Sequence, residues 1–237
     1  MIGILAELNK RFDHAALRPE TTEKDIIRLC SEAVEYKLFA IAVNPVWVPV
    51  AKDILLGSGV RIVSVAGFPL GANRTESKIV EAVRCANDGA HEIDMVANIG
   101  WLISGEHGRA REEISSVRKN LPYNVLLKVI VEAGLLTPPQ QIDAVRAVIN
   151  GGAQFVKTST GFFGNTTREQ IETLSAAAGG QVEVKASGGI RTMEQCRVML
   201  EAGATRLGSS ASVSIMREYL KSRGDWTPDG KGRKQPD

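Results

Sequence analysis

The sequence lacks any hydrophobic run long enough to enter a membrane. Its longest apolar stretch near the N-terminus, residues 2–6, is too short for the hydrophobic region of a secretory leader, and no stretch elsewhere reaches transmembrane length. The net charge is only +2, with basic and acidic residues interspersed, so no broad basic surface for nucleic acid is expected. These absences predict a cytoplasmic protein that binds neither membranes nor nucleic acids.

Cysteine and histidine are also scarce. The three cysteines are far apart, show no Cys-x-x-Cys spacing and fall in segments predicted to be helical: Cys30, Cys85 and Cys196. A scattered, odd set of cysteines favours buried, reduced thiols over a disulfide framework. The three histidines show no ligand spacing such as His-Glu-x-x-His: His14, His91 and His107. We therefore predict neither a structural nor a catalytic metal ion.

The chain instead alternates short β-branched runs with amphipathic stretches. Strands are predicted at residues 11–15, 39–43, 61–66, 92–97, 126–131, 155–159, 183–187 and 206–209. Helix starts are predicted at Thr22, Asn44-Pro45, Thr75-Glu76, Thr137, Thr167 and Thr192, and the last three have glutamine three residues later, the spacing of a capping box. Eight strand-then-helix units predict an α/β fold, a single (β/α)8 TIM barrel.

The alternative fold is an open, doubly wound sheet, but no Gly-x-Gly-x-x-Gly motif follows an early strand. A chain of 237 residues that is 43% hydrophobic suits one large domain, which we place at residues 1–222. Residues 223–237 are rich in glycine, proline and charge and are expected to form a disordered tail.

Charged residues occur inside four of the predicted strands: Asp94, Lys128, Lys157 and Lys185. Their aliphatic neighbours fall on the opposite strand face, which predicts that the charges point into the barrel while the neighbours meet the helices. Enzymes with this fold carry their active sites at the carboxyl ends of the strands. Lys128 has a second interpretation, as a structural ion pair with Asp94 or Glu132.

Lys157 and Lys185 are expected to lie close together on adjacent strands. Two ammonium groups ~4 Å apart repel by roughly 4 kcal/mol at an effective dielectric constant near 20, equivalent to about three pKa units from an ordinary value near 10.4. Glu183, on the same strand face as Lys185, is a candidate to reduce this repulsion. A lysine with such a lowered pKa is a nucleophile, so Lys157 is predicted to attack a carbonyl group.

Small residues follow the last two strands and predict a phosphate site. Gly188 and Gly189 come after the seventh strand, and Ser209 and Ser210 end the eighth. Small residues let backbone N–H groups approach an anion, and this fold frequently binds phosphate at the loops after these two strands. Gly161, in the turn after Lys157, is the expected third side of this site.

Several segments together resemble the deoxyribose-phosphate aldolase family over residues 9–220. They are FDH at 12–14, VNP at 43–45, GFPLG at 67–71, EIDMV at 92–96, NIG at 98–100, LKVIVE at 127–132, FVKTSTG at 155–161 and VKASGGIRT at 184–192. The resemblance implies a class I aldolase on a (β/α)8 barrel. Such an enzyme reversibly cleaves 2-deoxy-D-ribose 5-phosphate to acetaldehyde and D-glyceraldehyde 3-phosphate in deoxynucleoside catabolism.

The resemblance also implies roles for individual residues. Lys157 forms the Schiff base, Lys185 lowers its pKa, Asp94 transfers protons with a bound water, and Asp13 joins the relay or holds a substrate hydroxyl. No metal or cofactor is required, because the protonated imine is itself the electron sink. The chain departs from the family pattern at Ala15, Ala42 and Phe163, which puts substrate tolerance in question more than reaction class.

Two other functions remain open at this point. A barrel that only binds sugar phosphates would keep the anion site, and a related Schiff-base aldolase would act on another phosphorylated aldehyde or ketone. A homodimer is possible, although no heptad pattern or single apolar stripe identifies an interface.

Overall fold

In a computed structural model of the protein, which describes residues 5–224, eight parallel strands close into a barrel in chain order. The strands are β1 Phe12–Ala16, β2 Ala40–Val43, β3 Arg61–Ala66, β4 Glu92–Val96, β5 Leu126–Ile130, β6 Phe155–Lys157, β7 Glu183–Ser187 and β8 Arg206–Ser209. Strand β8 pairs with β1, where Gly208 lies opposite Asp13. The predicted (β/α)8 architecture is confirmed.

Helices follow the strands and cover the outside of the barrel. The α-helices are α1 Glu23–Glu35, α2 Val48–Leu55, α3 Thr75–Asp88, α4 Ile99–Ile103, α5 His107–Asn120, α6 Pro138–Gly151, α7 Arg168–Ala178, α8 Met193–Glu201 and α9 Ser212–Ser222. Short 3-10 helices span Leu8–Arg11, Pro45–Trp47 and Ala133–Leu135. Helices α7 and α8 begin with the predicted capping boxes, because the Thr167 and Thr192 hydroxyls accept from the N–H groups of Gln170 and Gln195.

The two faces of each strand have different surroundings, as the alternation in β4 illustrates. Ile93 and Met95 are buried in the main hydrophobic core between the sheet and the helices. Glu92 and Asp94 are equally buried but make their contacts with charged groups inside the barrel. Successive side chains of a strand point to opposite sides, so a charge between two aliphatic residues is directed inward.

The sixth strand is shorter than predicted. It ends at Lys157 rather than at residue 159, and the residues beyond it bond to the last residue of β7. The Ser159 hydroxyl donates to the Ser187 carbonyl at 2.7 Å, and the Ser187 hydroxyl donates to the Ser159 carbonyl at 2.6 Å. These bonds join the loop after β6 to the end of β7, two residues beyond each of the two lysines.

Several expectations of the sequence analysis concern features outside the barrel. All three cysteines are buried and free, as predicted. In the part of the chain that the structure describes, no helix combines the length and apolar character needed to cross a membrane. Of the proposed tail, Arg223 and Gly224 form a turn, and residues 225–237 lie outside the described residues.

Candidate active site

The charged residues of four strands meet inside the barrel. Asp94 lies opposite Lys128 in the β4–β5 register, and Lys157 lies opposite Lys185 in the β6–β7 register. Asp13 reaches the same place from β1, and none of these five side chains is more than 3% exposed. The predicted catalytic residues therefore form one buried cluster.

Asp94 is at the centre of this cluster. Its Oδ1 accepts from Lys128 at 2.8 Å, and its Oδ2 accepts from Lys157 at 2.9 Å and from Lys185 at 2.7 Å. Burial alone would raise the pKa of this carboxyl, but the three ammonium groups hold it well below its usual range. Asp94 is therefore ionised, and it connects the two lysines predicted to act together.

Asp13 holds the other side of Lys185. One carboxylate oxygen accepts from Lys185, and the other accepts from Arg206 of β8 at 2.9 Å. Burial raises the pKa of Asp13, but Lys185 and then Lys128 and Arg206 outweigh it and lower the pKa to about 2. Lys185 thus lies between two ionised carboxylates, with its ammonium position fixed by both.

Lys157 has the property of a nucleophilic amine, for a somewhat different reason than predicted. Burial is the largest cause that lowers its pKa to about 8; Asp94 opposes this shift, and Lys185 adds to it. The direction agrees with the expectation from the sequence, but desolvation outweighs the repulsion between the lysines. Glu183 has no part in it, since it is exposed and accepts from the Thr205 hydroxyl at 2.8 Å.

Lys128 is held between buried carboxylates. Besides Asp94, it contacts Glu92 at 2.6 Å, and these carboxylates with Asp13 raise its pKa although burial acts against them. The suggested pairing with Glu132 is wrong, because the Glu132 carboxylate accepts from the backbone N–H of Thr160 at 3.0 Å. The sequence-based ion-pair interpretation of Lys128 is therefore the one that its contacts favour.

A cavity of about 170 Å³ opens from this cluster toward the loops at the carboxyl ends of the strands. Lys157, Lys185 and Asp13, all buried, line it. The predicted phosphate-binding residues line the same cavity: Gly161, Gly188, Gly189, Ser209 and Ser210. One space thus joins the Lys157 amine to the loop residues predicted to bind phosphate. Asp94 is not in the cavity wall and contacts it through the two lysines.

The loop after β7 contains two glycines in backbone conformations that favour glycine, and hydrogen bonds join it to the end of β8. Gly188 and Gly189 have φ values of 101° and 77°, which a residue with a side chain rarely adopts. The Ser209 hydroxyl donates to the Ile190 carbonyl at 2.6 Å and accepts from the Ala211 N–H at 2.9 Å, so it links the two loops. Ser210 is exposed beside the start of α9, where helix N–H groups favour negative charge.

The sequence reasoning assigned no role to several residues of this region. Three of them line the cavity: Arg18, Phe162 and Arg191. Two others contact the charged cluster but do not line the cavity: Glu92 and Arg206. The alternation of strand faces would have identified Glu92 and Arg206. Glu92 lies two residues before Asp94, and Arg206 lies two residues before Gly208, so each points to the same side of its strand as that residue.

Two of the three departures from the family pattern lie in the cavity wall. They are Ala15 and Ala42, whose small side chains line the cavity. Phe163 is 43% exposed and outside that wall, whereas its neighbour Phe162 lines the cavity and packs edge-on against Phe68. The small residues therefore affect the cavity more directly than the second phenylalanine does.

Comparisons with known proteins agree with this geometry. Residues 8–220 match the model of the DeoC/LacD family aldolase. Proteins named deoxyribose-phosphate aldolase are 43% identical in Clostridium kluyveri, over 90% of this chain and 98% of that protein, and 45% identical in Bacillus subtilis, over 90% and 96%. A solved structure titled "QR15, an Aldolase" has a TM-score of 0.88 at 39% identity, covering 92% of this chain and 98% of that one. The chain belongs to the DeoC/LacD family of aldolases.

Proposed function

We propose that this protein is a class I aldolase that reversibly cleaves 2-deoxy-D-ribose 5-phosphate to D-glyceraldehyde 3-phosphate and acetaldehyde, with Lys157 as the Schiff-base residue. The observation that carries the proposal is a lysine buried in the cavity wall with its pKa lowered to about 8. At neutral pH a useful fraction of such an amine is unprotonated and can attack an aldehyde. The relatives at 43–45% identity, all named deoxyribose-phosphate aldolase, support the choice of substrate.

The chemistry follows from the amine and the carboxylates around it. Neutral Lys157 adds to C1 of the open-chain sugar, and loss of water gives a protonated imine. This cation withdraws electrons from the C2–C3 bond. Removal of the C3 hydroxyl proton then breaks that bond, releasing D-glyceraldehyde 3-phosphate and leaving an enamine on Lys157. Protonation of the enamine at C2 and hydrolysis release acetaldehyde and return the free amine.

We assign proton transfer to Asp94 and Lys185. Asp94 accepts directly from the Lys157 amine at 2.9 Å, and Lys185 donates to the same Asp94 oxygen at 2.7 Å. A water bound in the cavity would carry protons between this pair and the substrate. Asp13, which lines the cavity and accepts from Lys185, is placed to hold a substrate hydroxyl or to join the relay.

The phosphate of the substrate is assigned to the loops after β6, β7 and β8. Gly161, Gly188, Gly189, Ser209 and Ser210 all line the cavity that Lys157 lines. Glycine backbone and the N-terminus of α9 supply donors for an anion there. The five-carbon sugar then extends from this phosphate site toward the Lys157 amine.

The broader assignments belong to the same proposal. We infer a barrel domain over residues 1–222, supported by secondary structure that runs from Leu8 to Ser222. Three free, buried cysteines favour a cytoplasmic location.

For assembly we propose a homodimer, which light scattering will test. A relative from Aeropyrum pernix is titled tetrameric; it is 33% identical, with a TM-score of 0.84 over 91% of this chain and 92% of that one.

Borohydride trapping with acetaldehyde, followed by peptide mass spectrometry, tests the function beside a cleavage assay with 2-deoxy-D-ribose 5-phosphate. The expected result is a reduced adduct on the Lys157 peptide together with cleavage, and loss of both in Lys157→Ala. Lys78→Met is the matched control, because Lys78 is equally buried but pairs with Glu113 outside the cavity. Trapping without cleavage would favour another phosphorylated aldehyde or ketone, and absence of both would favour a barrel that only binds sugar phosphates.

A further inference from the structure

The charged side chains inside the barrel form a closed ring in which the signs alternate. In order around the ring they are Asp13, Arg206, Glu92, Lys128, Asp94 and Lys185, which returns to Asp13. The contact from Arg206 to Glu92 is 3.3 Å, and that from Lys128 to Glu92 is 2.6 Å. Three carboxylates and three cations thus balance one another without any help from Lys157.

Lys157 lies outside this ring and is attached to it by one contact. Its ammonium group donates to Asp94 at 2.9 Å, and Asp94 already accepts from two ring lysines. Among the residues that the structure describes, Arg61 of β3 also contacts the ring, at Glu92 and 3.3 Å, but its side chain is 44% open to solvent. His91, beside Glu92 in the chain, accepts from the Ile62 N–H at 3.0 Å. Strand β2, with the sequence AIAV, contributes no charge. Lys157 is therefore a buried cation in addition to the three that balance the ring carboxylates.

Glu92 and Arg206 close the ring on the side away from the cavity. Neither of them lines the cavity. The Arg206 guanidinium lies 3.8 Å from the Phe39 ring centroid and 5.4 Å from that of Phe155, so aromatic faces hold it in place. Glu92 is fully buried. These two residues cannot touch a substrate bound in the cavity.

We propose that Glu92 and Arg206 are positioning residues of the aldolase reaction, which set the reactivity of Lys157 by completing a charge-neutral ring beneath it. The inference rests on the Schiff-base role proposed for Lys157. A neutral ring gives the Lys157 ammonium little net attraction, so the cost of burying its charge is not offset and the neutral amine is favoured. Arg206 also holds Asp13, and Glu92 holds Lys128, which fixes both partners of the Lys185–Asp94 pair.

Removal of one ring charge leaves the opposite sign in excess, and this excess charge should shift the pH dependence of Lys157. Glu92→Gln leaves a positive ring and lowers the pH at which Lys157 loses its proton; Arg206→Met leaves a negative ring and raises it. Three contacts below 3 Å connect Glu92 to Lys157. They keep the two groups within ~10 Å, so at an effective dielectric constant near 20 a shift of about 1 pH unit is expected from Glu92→Gln, with a shift of the opposite sign from Arg206→Met. The double variant removes one charge of each sign and should return to the parent value.

The test is the pH dependence of borohydride trapping with acetaldehyde, measured from pH 6 to 10 on the full chain. Opposite shifts in the single variants that cancel in the double variant support the inference. Unmoved profiles, or shifts of the same sign, overturn it and leave both residues as stabilising groups only. Glu92→Gln keeps the shape of the side chain, and its profile alone decides if Arg206→Met does not fold.

Glu113→Gln provides the matched control. This substitution breaks another fully buried ion pair, Lys78–Glu113, whose contact is 2.9 Å. Because this pair lies outside the ring, the trapping profile of the variant should stay at the parent position. Failure of the ring inference is distinguishable from failure of the proposed function. If the parent protein is not trapped at Lys157 at any pH, the function is wrong; if it is trapped and the variant profiles do not move, only the ring inference is wrong.

Discussion

Replacement of Lys185 by leucine should move the activity of this protein to higher pH. Lys185 and Lys157 donate to the same oxygen of Asp94 at 2.7 and 2.9 Å, which puts the ammonium groups ~5 Å apart. At an effective dielectric constant near 20 they repel by ~3 kcal/mol, or about two pKa units. In Lys185→Leu this repulsion is lost, and Asp94 and Asp13 have one cation fewer to neutralise them. Both changes favour the protonated form of Lys157.

The expected loss at neutral pH follows from the fraction of neutral amine. With the pKa of Lys157 at about 8, roughly a quarter of the amine is neutral at pH 7.5. A pKa near 10 reduces that fraction to ~0.3%, so kcat/KM for 2-deoxy-D-ribose 5-phosphate should fall about a hundredfold at pH 7.5 and recover in part toward pH 10. The acid side of the pH profile should move upward by about two units.

Steady-state rates between pH 6 and 10.5 provide the assay, and Lys185→Arg provides the control. A guanidinium keeps the positive charge at all these pH values, so its profile should keep the acid limb near the parent position even if altered geometry lowers the rate. An acid limb that stays near pH 8 in Lys185→Leu would refute the electrostatic role of Lys185. So would an unchanged rate at pH 7.5.

Three further predictions concern the carboxylate, the phosphate loop and a distant ion pair. Asp94→Asn removes the carboxylate from Lys157, so trapping should extend to lower pH while sugar cleavage falls by roughly 10²–10⁴-fold; a parallel change in both assays would contradict this. Gly188→Ala forces a methyl group into a residue with φ 101° and should raise KM for the phosphorylated sugar without affecting acetaldehyde trapping. Glu113→Gln leaves Lys78 buried beside a neutral amide and should lower the free energy of unfolding in urea by ~3–5 kcal/mol.

The barrel itself was predictable because its signals are local. A charge between two aliphatic residues, such as Asp94 between Ile93 and Met95, is directed inward in any strand with one face against helices. Threonine followed three residues later by glutamine marked the starts of α7 and α8. No start was predicted for α4, α5 or α9, and the five residues of α4 are too few for a periodic pattern.

The partners of the charged side chains were less predictable, because barrel closure decides them. Lys128 pairs with Asp94 as expected, but its shortest contact is with Glu92, on the same strand as Asp94, a partner that was not predicted. Arg206 reaches Asp13 through the closure of β8 onto β1, across a separation of 193 residues. A linear sequence shows which side chains point inward, but the tilt and stagger of eight strands determine which of them meet.

The pKa of Lys157 illustrates the effect of contacts that the sequence does not show. Repulsion between two lysines alone predicts a pKa near 7 from a separation of ~4 Å, whereas the pKa in the barrel is about 8 and burial is its main cause. The difference arises because repulsion from Lys185 contributes less than burial, and Asp94 opposes both. The reactivity of Lys157 is thus a property of the net charge enclosed around it, not of one neighbour. Any substitution that changes this net charge should shift the pH dependence of the amine, whether or not the substituted residue reaches the cavity.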